Sequence, residues 1–170
     1  IYQGEEIGMT DPHYTSIQKY RDVESLNAYT HLKEEGIPEE EILTILSQKS
    51  RDNSRTPIQW NQNENAGFTS GTPWIDLPKN IDTINVEDAI SNKDSVLHVY
   101  RQLIKLRHHH DIITYGDIEP LYMDHPQLFI YRRNYKNDSW LIIANFSNET
   151  VRIPDDLDIV GDTIIQSGTV

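Results

Sequence analysis

The sequence predicts two units of different class, an α/β segment over residues 1–111 and an all-β segment over 112–170. Three observations carry this reading. The chain opens on Ile1-Tyr2-Gln3, which reads as the end of a strand. A wide apolar stripe at helical spacing runs from Val96 to Leu106. After Ile112 the apolar period drops to two, the signature of strands with one buried face.

The elements follow in order. Gly4 to Gly8 turns out of the opening strand, and residues 5–20 are irregular, punctuated by Thr10-Asp11-Pro12. Helical spacing begins near Asp22 and Val23, continues through Leu26, Tyr29 and Leu32, and stops at Gly36. A second helix starts with Pro38 in its first turn, followed by Glu39, Glu40 and Glu41 at the positive end of the dipole. Its stripe is Ile42, Leu43, Ile45 and Leu46. Residues 50–85 are irregular again, and a loop region of that length is usually functional. Asp94 or Ser95 caps the helix that ends in Arg107-His108-His109-His110. Short strands are expected at Ile118–Met123, Leu128–Arg133, Trp140–Phe146 and Thr150–Ile153, with turns at Asp124-His125-Pro126 and Lys136-Asn137-Asp138.

Composition excludes several function classes. With 36% hydrophobic and 25% charged residues the chain has the makeup of a folded soluble protein. A net charge of −12 leaves no basic track for nucleic acid. No cysteine is present, which removes disulfides, thiolate chemistry and cysteine-ligated zinc. No apolar run reaches the roughly 20 residues that span a bilayer. The three histidines 108–110 do not form a metal set, because consecutive helical residues fan out by about 100° each. No cofactor motif is visible, so none is expected.

The densest chemistry lies in Arg51-Asp52-Asn53-Ser54-Arg55-Thr56-Pro57-Ile58-Gln59-Trp60. Guanidiniums, a carboxylate and amides offer the planar, bidentate partners that sugar hydroxyls take, and an indole offers a face to the apolar side of a pyranose ring. The competing account is a surface turn stapled by Arg–Asp pairs. Carboxylate pairs occur at Glu5-Glu6, Asp22 with Glu24, Glu39–Glu41 and Asp155-Asp156. Adjacent acids point apart, so spacing alone assigns none of them to glycoside hydrolysis.

Residues 1–10, Tyr20 to Asn27, Ser50 to Trp60, Asn65-Ala66-Gly67-Phe68, Pro73-Trp74-Ile75, Ile84-Asn85-Val86 and Asp94-Ser95-Val96 resemble the α-glucosidase branch of the α-amylase superfamily, glycoside hydrolase family 13. The blocks stand in that family's order over essentially the whole chain. The resemblance implies a (β/α)8 barrel with its site on the loops at the C-terminal ends of the strands. Ile1–Gln3 would then be the end of strand eight, residues 4–93 its following loop, and Asp94 to about His109 the eighth helix. Residues 112–170 would be most of a C-terminal β-sandwich domain.

That family's catalytic Asp, Glu and Asp lie on strands four, five and seven, so by the same resemblance none is expected here. The chain is expected to be the C-terminal portion of an intracellular, cytoplasmic enzyme, and inactive by itself. Glu24 and Arg51 match a pocket glutamate and arginine of related α-glucosidases and are the expected substrate-binding residues. Asp52 and Arg55 are expected to support the loop. Asp11 to Tyr14, Tyr20 to Asn27 and Lys49 to Arg55 look most like trehalose-6-phosphate hydrolases, while oligo-1,6-glucosidases and dextran glucosidases share most other blocks. The implied substrate is a small sugar, trehalose 6-phosphate or an isomalto-oligosaccharide, with no metal, nucleic acid or membrane partner.

A reading of another class is a non-catalytic carbohydrate-binding or interaction module, with Trp74 or Trp140 as a stacking face, although core packing is the simpler account of both. Without barrel neighbours, Ile1–Gln3 and the helix at 95–106 would present apolar surface, and either self-association through it or poor order in residues 1–93 is expected.

Overall fold

Ile1–Gln3, the expected strand end, pairs with nothing in the computed structural model, which describes residues 1–168. A strand needs a neighbour to accept its backbone hydrogen bonds, and the described residues supply none beside it. The turn that follows holds as expected. Gly4 adopts φ 97°, where a Cβ would lie 2.8 Å from Met9 Sδ, and its N–H donates to Glu6 Oε2 at 2.7 Å.

Helix α1 spans Val23–Glu34 and α2 spans Glu39–Lys49. Asp22 caps α1 by accepting from Ser25 N, and Gly36 at φ 83° follows its end. Pro38 is the N-cap of α2 rather than its first helical residue, because its ψ of 140° is extended. The two helices bury Ile42 and Leu46 against Tyr14, Tyr20 and Ile75 from the loops, with Ile17, Ala28, Leu32 and Leu43 packed around them. Tyr14 and Tyr20 meet edge to face at 5.5 Å. Burial, reinforced by the nearby Asp76 carboxylate, raises the Tyr14 hydroxyl well above its usual pKa, so it stays a donor, to Asp76 O. Ile45, read as part of the stripe, is exposed.

The long irregular region is held by side chains. Gln59, wholly buried, donates to Ile84 O and Asn80 Oδ1, and Val86 N donates to Gln59 O at 2.8 Å. Asn85, also buried, caps helix α3 (Val86–Ser91) by accepting from Asp88 N at 2.9 Å and donates to Ile81 O. The sequence reading contains no α3, since six residues give no periodic stripe. Asn85→Ala should cost about 2 kcal/mol, for the lost cap plus an unpartnered carbonyl, read as a lower urea midpoint at unchanged m.

Helix α4, Val96–His109, agrees with expectation, but none of its residues is buried and Leu103 is 47% exposed. His108 and His109 sit in its last turn, and His109 Nδ1 contacts Lys105 O. The chain divides into two compact units, Ile1–Tyr100 and a second starting at Arg101. The last two residues of the expected 112–170 domain lie outside the described residues.

Within the second unit, residues 111–115 form a short helix, α5 (Asp111–Tyr115), where the sequence reading begins its β region. The Arg133 guanidinium stabilises its C-terminal end, donating to Ile112 O at 2.9 Å and Gly116 O at 2.7 Å. Strands β1 (Asp117–Leu121), β2 (Leu128–Tyr135) and β3 (Asp138–Asn145) form an antiparallel sheet in the order β1-β2-β3. A two-residue turn joins Tyr135 to Asp138, with Lys136 at φ 55°. Buried Ile112, Leu128 and Ile130 form the small core of this unit. The fourth expected strand, Thr150–Ile153, is not formed among the described residues. Hydrogen bonds from Asn145 and Ser147 to Glu149 O close a tight loop after β3, and Pro154 follows at once.

Candidate functional site

Two short sequence stretches, Arg21 to Ser25 and Ser50 to Arg55, build one charged cluster at the N-terminus of α1. Each contains a residue that caps the turn after it. Asp22 caps α1 through Oδ2, which accepts from Ser25 N at 3.2 Å. Ser50 caps a 3₁₀ turn, Arg51–Arg55, through Oγ, which accepts from Asp52 N at 3.2 Å. Ser25 Oγ donates to Ser50 Oγ at 2.7 Å, so the two caps are joined. Asn53 Nδ2 ties the turn to α2 through Ser47 O at 2.9 Å.

Asp52 crosses between the stretches. It is 0% exposed, and its Oδ2 accepts from Arg21 N at 2.6 Å and Asp22 N at 2.8 Å. These N–H groups lie at the positive end of α1, which suits a carboxylate. Asp52 Oδ1 makes no hydrogen bond, and its charge is balanced by Arg55 Nη1 at 3.6 Å.

The guanidiniums converge on Asp22, which is 5% exposed. Its Oδ1 lies 3.0 Å from Arg51 Nη2 and 3.2 Å from Arg55 Nη1. Burial works to raise this carboxyl, but the Ser25 N–H and the Arg51 guanidinium outweigh it and hold the pKa below the usual carboxylate value. Arg51 Nη2 also lies 3.0 Å from Glu24 Oε2. Here exposure changes: the Arg51 and Glu24 side chains are 55% and 75% exposed. The network therefore has a dry base, Asp22 and Asp52, and a wet edge, Arg51 and Glu24. Both Arg51 contacts use Nη2, so Nε and Nη1 carry donors this bridge does not occupy.

All four residues singled out in the sequence, Glu24, Arg51, Asp52 and Arg55, thus fall in one ion-pair network. Asp22, its hub, is read in the sequence only as the start of a helix and as a carboxylate near Glu24. The legible signal was its place directly before the first periodic apolar residue, an N-cap position that fixes a carboxylate at a helix end. Chemically the edge offers a fixed guanidinium beside a carboxylate, a pair that can donate to and accept from neighbouring sugar hydroxyls. Trp74 is 64% exposed, contrary to its simpler reading as core, because its neighbour Ile75 takes the buried position. Trp140 is partly buried, its ring 4.9 Å from that of His110. Among the described residues no three His, Asp or Glu side chains gather as a metal set, and no helix is long and apolar enough to cross a membrane.

Residues 1–116 match the family model described as "Alpha amylase, catalytic domain". Trehalose-6-phosphate hydrolase of Escherichia coli is 52% identical over 149 residues, which cover 88% of this chain and 27% of that protein. Oligo-1,6-glucosidase of Parageobacillus thermoglucosidasius is 48% identical over 158 residues, 91% of this chain and 28% of that protein. The crystal structure of Bacillus licheniformis trehalose-6-phosphate hydrolase superposes with a TM-score of 0.87 at 53% identity, covering 93% of this chain and 29% of that one. The chain therefore spans between a quarter and a third of the length of these proteins.

Proposed function

The chain belongs to the α-amylase family, glycoside hydrolase family 13, and from that premise we propose that it is part of a cytoplasmic retaining α-glucosidase that hydrolyses trehalose 6-phosphate to glucose and glucose 6-phosphate. The observation that carries the substrate is the 52% identity to the Escherichia coli trehalose-6-phosphate hydrolase. In retaining chemistry a carboxylate attacks the anomeric carbon as an acid protonates the leaving oxygen, and water then releases the glucosyl unit. We assign those carboxylates to parts of the enzyme outside these 170 residues. The share of the chain here is the wet edge of the cluster: Arg51 and Glu24 hold sugar hydroxyls, and Asp52 with Arg55 fixes the turn that carries Arg51. Residues 1–111 are the barrel-derived part, and 112–170 belong to the β-sandwich. The apolar side chains of α4, such as Leu103, would then pack on parts of the parent outside this chain or on a second copy.

A second specificity has its own support, since the oligo-1,6-glucosidase is 48% identical over a similar span. The two separate in one assay, hydrolysis of trehalose 6-phosphate against isomaltose by the full-length protein and by the 170-residue chain. Preference for the phosphorylated sugar by the full-length protein, with an inert short chain, is the expected result. Preference for isomaltose overturns the substrate assignment. Turnover by the short chain overturns the placement of the catalytic carboxylates outside it, and sugar binding without turnover by that chain favours a binding module.

A further inference from the structure

We propose that Asp22 is a positioning residue for substrate binding: it fixes the Arg51 guanidinium in the pose that meets the sugar. The inference rests on the assignment of Arg51 to the substrate pocket made above.

Arg51 sits on a 3₁₀ turn and more than half of its side chain faces solvent. A long side chain in that setting loses rotamer freedom only if something holds its head. Glu24 is a poor anchor, because it is 75% exposed and has its own freedom. Asp22 is the opposite. Its carboxylate is nearly buried, and its backbone N–H is fixed by Asp52 Oδ2 at 2.8 Å. One oxygen is committed to the Ser25 N–H of the helix cap. The other is left to the guanidiniums, Arg51 at 3.0 Å and Arg55 at 3.2 Å. Arg55 is in turn steered by Asp52, so the acceptor that receives Arg51 is itself held from the buried side. Guanidinium pose is thus set by helix α1, a rigid element, rather than by the loop that carries Arg51.

This arrangement needs both oxygens of a carboxylate. Asparagine is as good an N-cap as aspartate, so Asp22→Asn keeps the bond to Ser25 N. Its amide nitrogen then takes the place of Oδ1 and presents donors to two guanidiniums that are also donors. The variant therefore keeps the helix start and loses the anchor, which separates positioning from a role in folding.

The test is a double-mutant cycle in the full-length protein, with Asp22→Asn, Arg51→Ala and both together, assayed on whichever of trehalose 6-phosphate and isomaltose it cleaves. Asp22→Asn is expected to lower kcat/KM about 10-fold with Arg51 present and less than about 2-fold when Arg51 is alanine. It should also divide its effect between kcat and KM in the same proportion as Arg51→Ala does. Thermal unfolding is recorded for each variant. Equal losses from Asp22→Asn in both backgrounds, or no loss in either, overturn the positioning role while leaving Arg51 in the pocket. If Arg51→Ala is itself without kinetic effect, the pocket assignment fails first and the inference falls with it.

Discussion

Replacing Arg51 with alanine in the full-length protein is expected to lower kcat/KM about 100-fold and to change stability by no more than about 1 kcal/mol. The two magnitudes come from different ends of one side chain's surroundings. On the stability side, Arg51 is 55% exposed, and exposed ion pairs contribute little once screening and side-chain entropy are counted. Its removal also orphans no buried charge. Asp22 keeps Arg55 at 3.2 Å and the Ser25 N–H, while Glu24 returns to water. On the kinetic side, a guanidinium that holds sugar hydroxyls fixes where the anomeric carbon sits, and a displacement of about 1 Å costs on the order of 100-fold. Arg51→Lys should recover only part of the loss, because an ammonium cannot offer a planar fork to two acceptors. The measurement is steady-state kinetics alongside urea denaturation. Near-normal kcat/KM in Arg51→Ala removes this residue from the pocket, whereas a collapse in stability makes it a structural staple.

How far the sequence predicts such a site depends on where its information lies. The long helices α1, α2 and α4 are legible because each shows apolar residues at helical spacing, and a stop such as Gly36 after α1 or an acidic first turn such as Glu39 to Glu41 in α2 marks an end. Helices α3 and α5 are too short for a period to appear, and both owe their ends to distant partners. The first N–H groups of α3, those of Val86 and Glu87, donate to Gln59 O and Trp60 O, and the carbonyls at the end of α5 are met by Arg133, in each case seventeen or more residues away in sequence. The strand pattern at Thr150–Ile153 shows the converse: alternation specifies a face, but a ladder exists only with a partner beside it. At the cluster, the residue types that suit a sugar are written in Arg51 to Arg55, and resemblance adds Glu24. What spacing alone does not reveal is that 30 positions of chain fold so that the Asp52 carboxylate meets the backbone of Asp22. Asp22 is consequently the hub that sequence reasoning passes over. Its place as a cap is legible, but its role as hub is set by burial and by a tertiary hydrogen bond, neither of which leaves a local pattern.

Asp52→Ala is expected to be the most destabilising change at this site, by about 4 kcal/mol. The carboxylate is wholly buried and accepts two main-chain N–H groups, from Arg21 and Asp22, through one oxygen. Alanine leaves both donors facing a void that the small side chain cannot fill, and each buried unsatisfied group costs about 1–3 kcal/mol. Arg55 loses one of its two carboxylates at the same time, which leaves it to Asp22, a carboxylate that it shares with Arg51. Asp52→Asn tests which of these losses dominates. An amide oxygen in place of Oδ2 still accepts from Arg21 N and Asp22 N, so if main-chain satisfaction is the larger part this variant should lose less than about 2 kcal/mol. Equal losses in the two variants would instead assign the stability to charge. Because Asp52 fixes the start of α1 and Asp22 begins that helix, the alanine variant should also weaken kcat/KM, and unlike Asp22→Asn it should do so while lowering the urea midpoint. A loss below about 1 kcal/mol for Asp52→Ala would mean that water reaches this site and satisfies the two N–H groups, and the dry base on which the Arg51 pose depends would be absent.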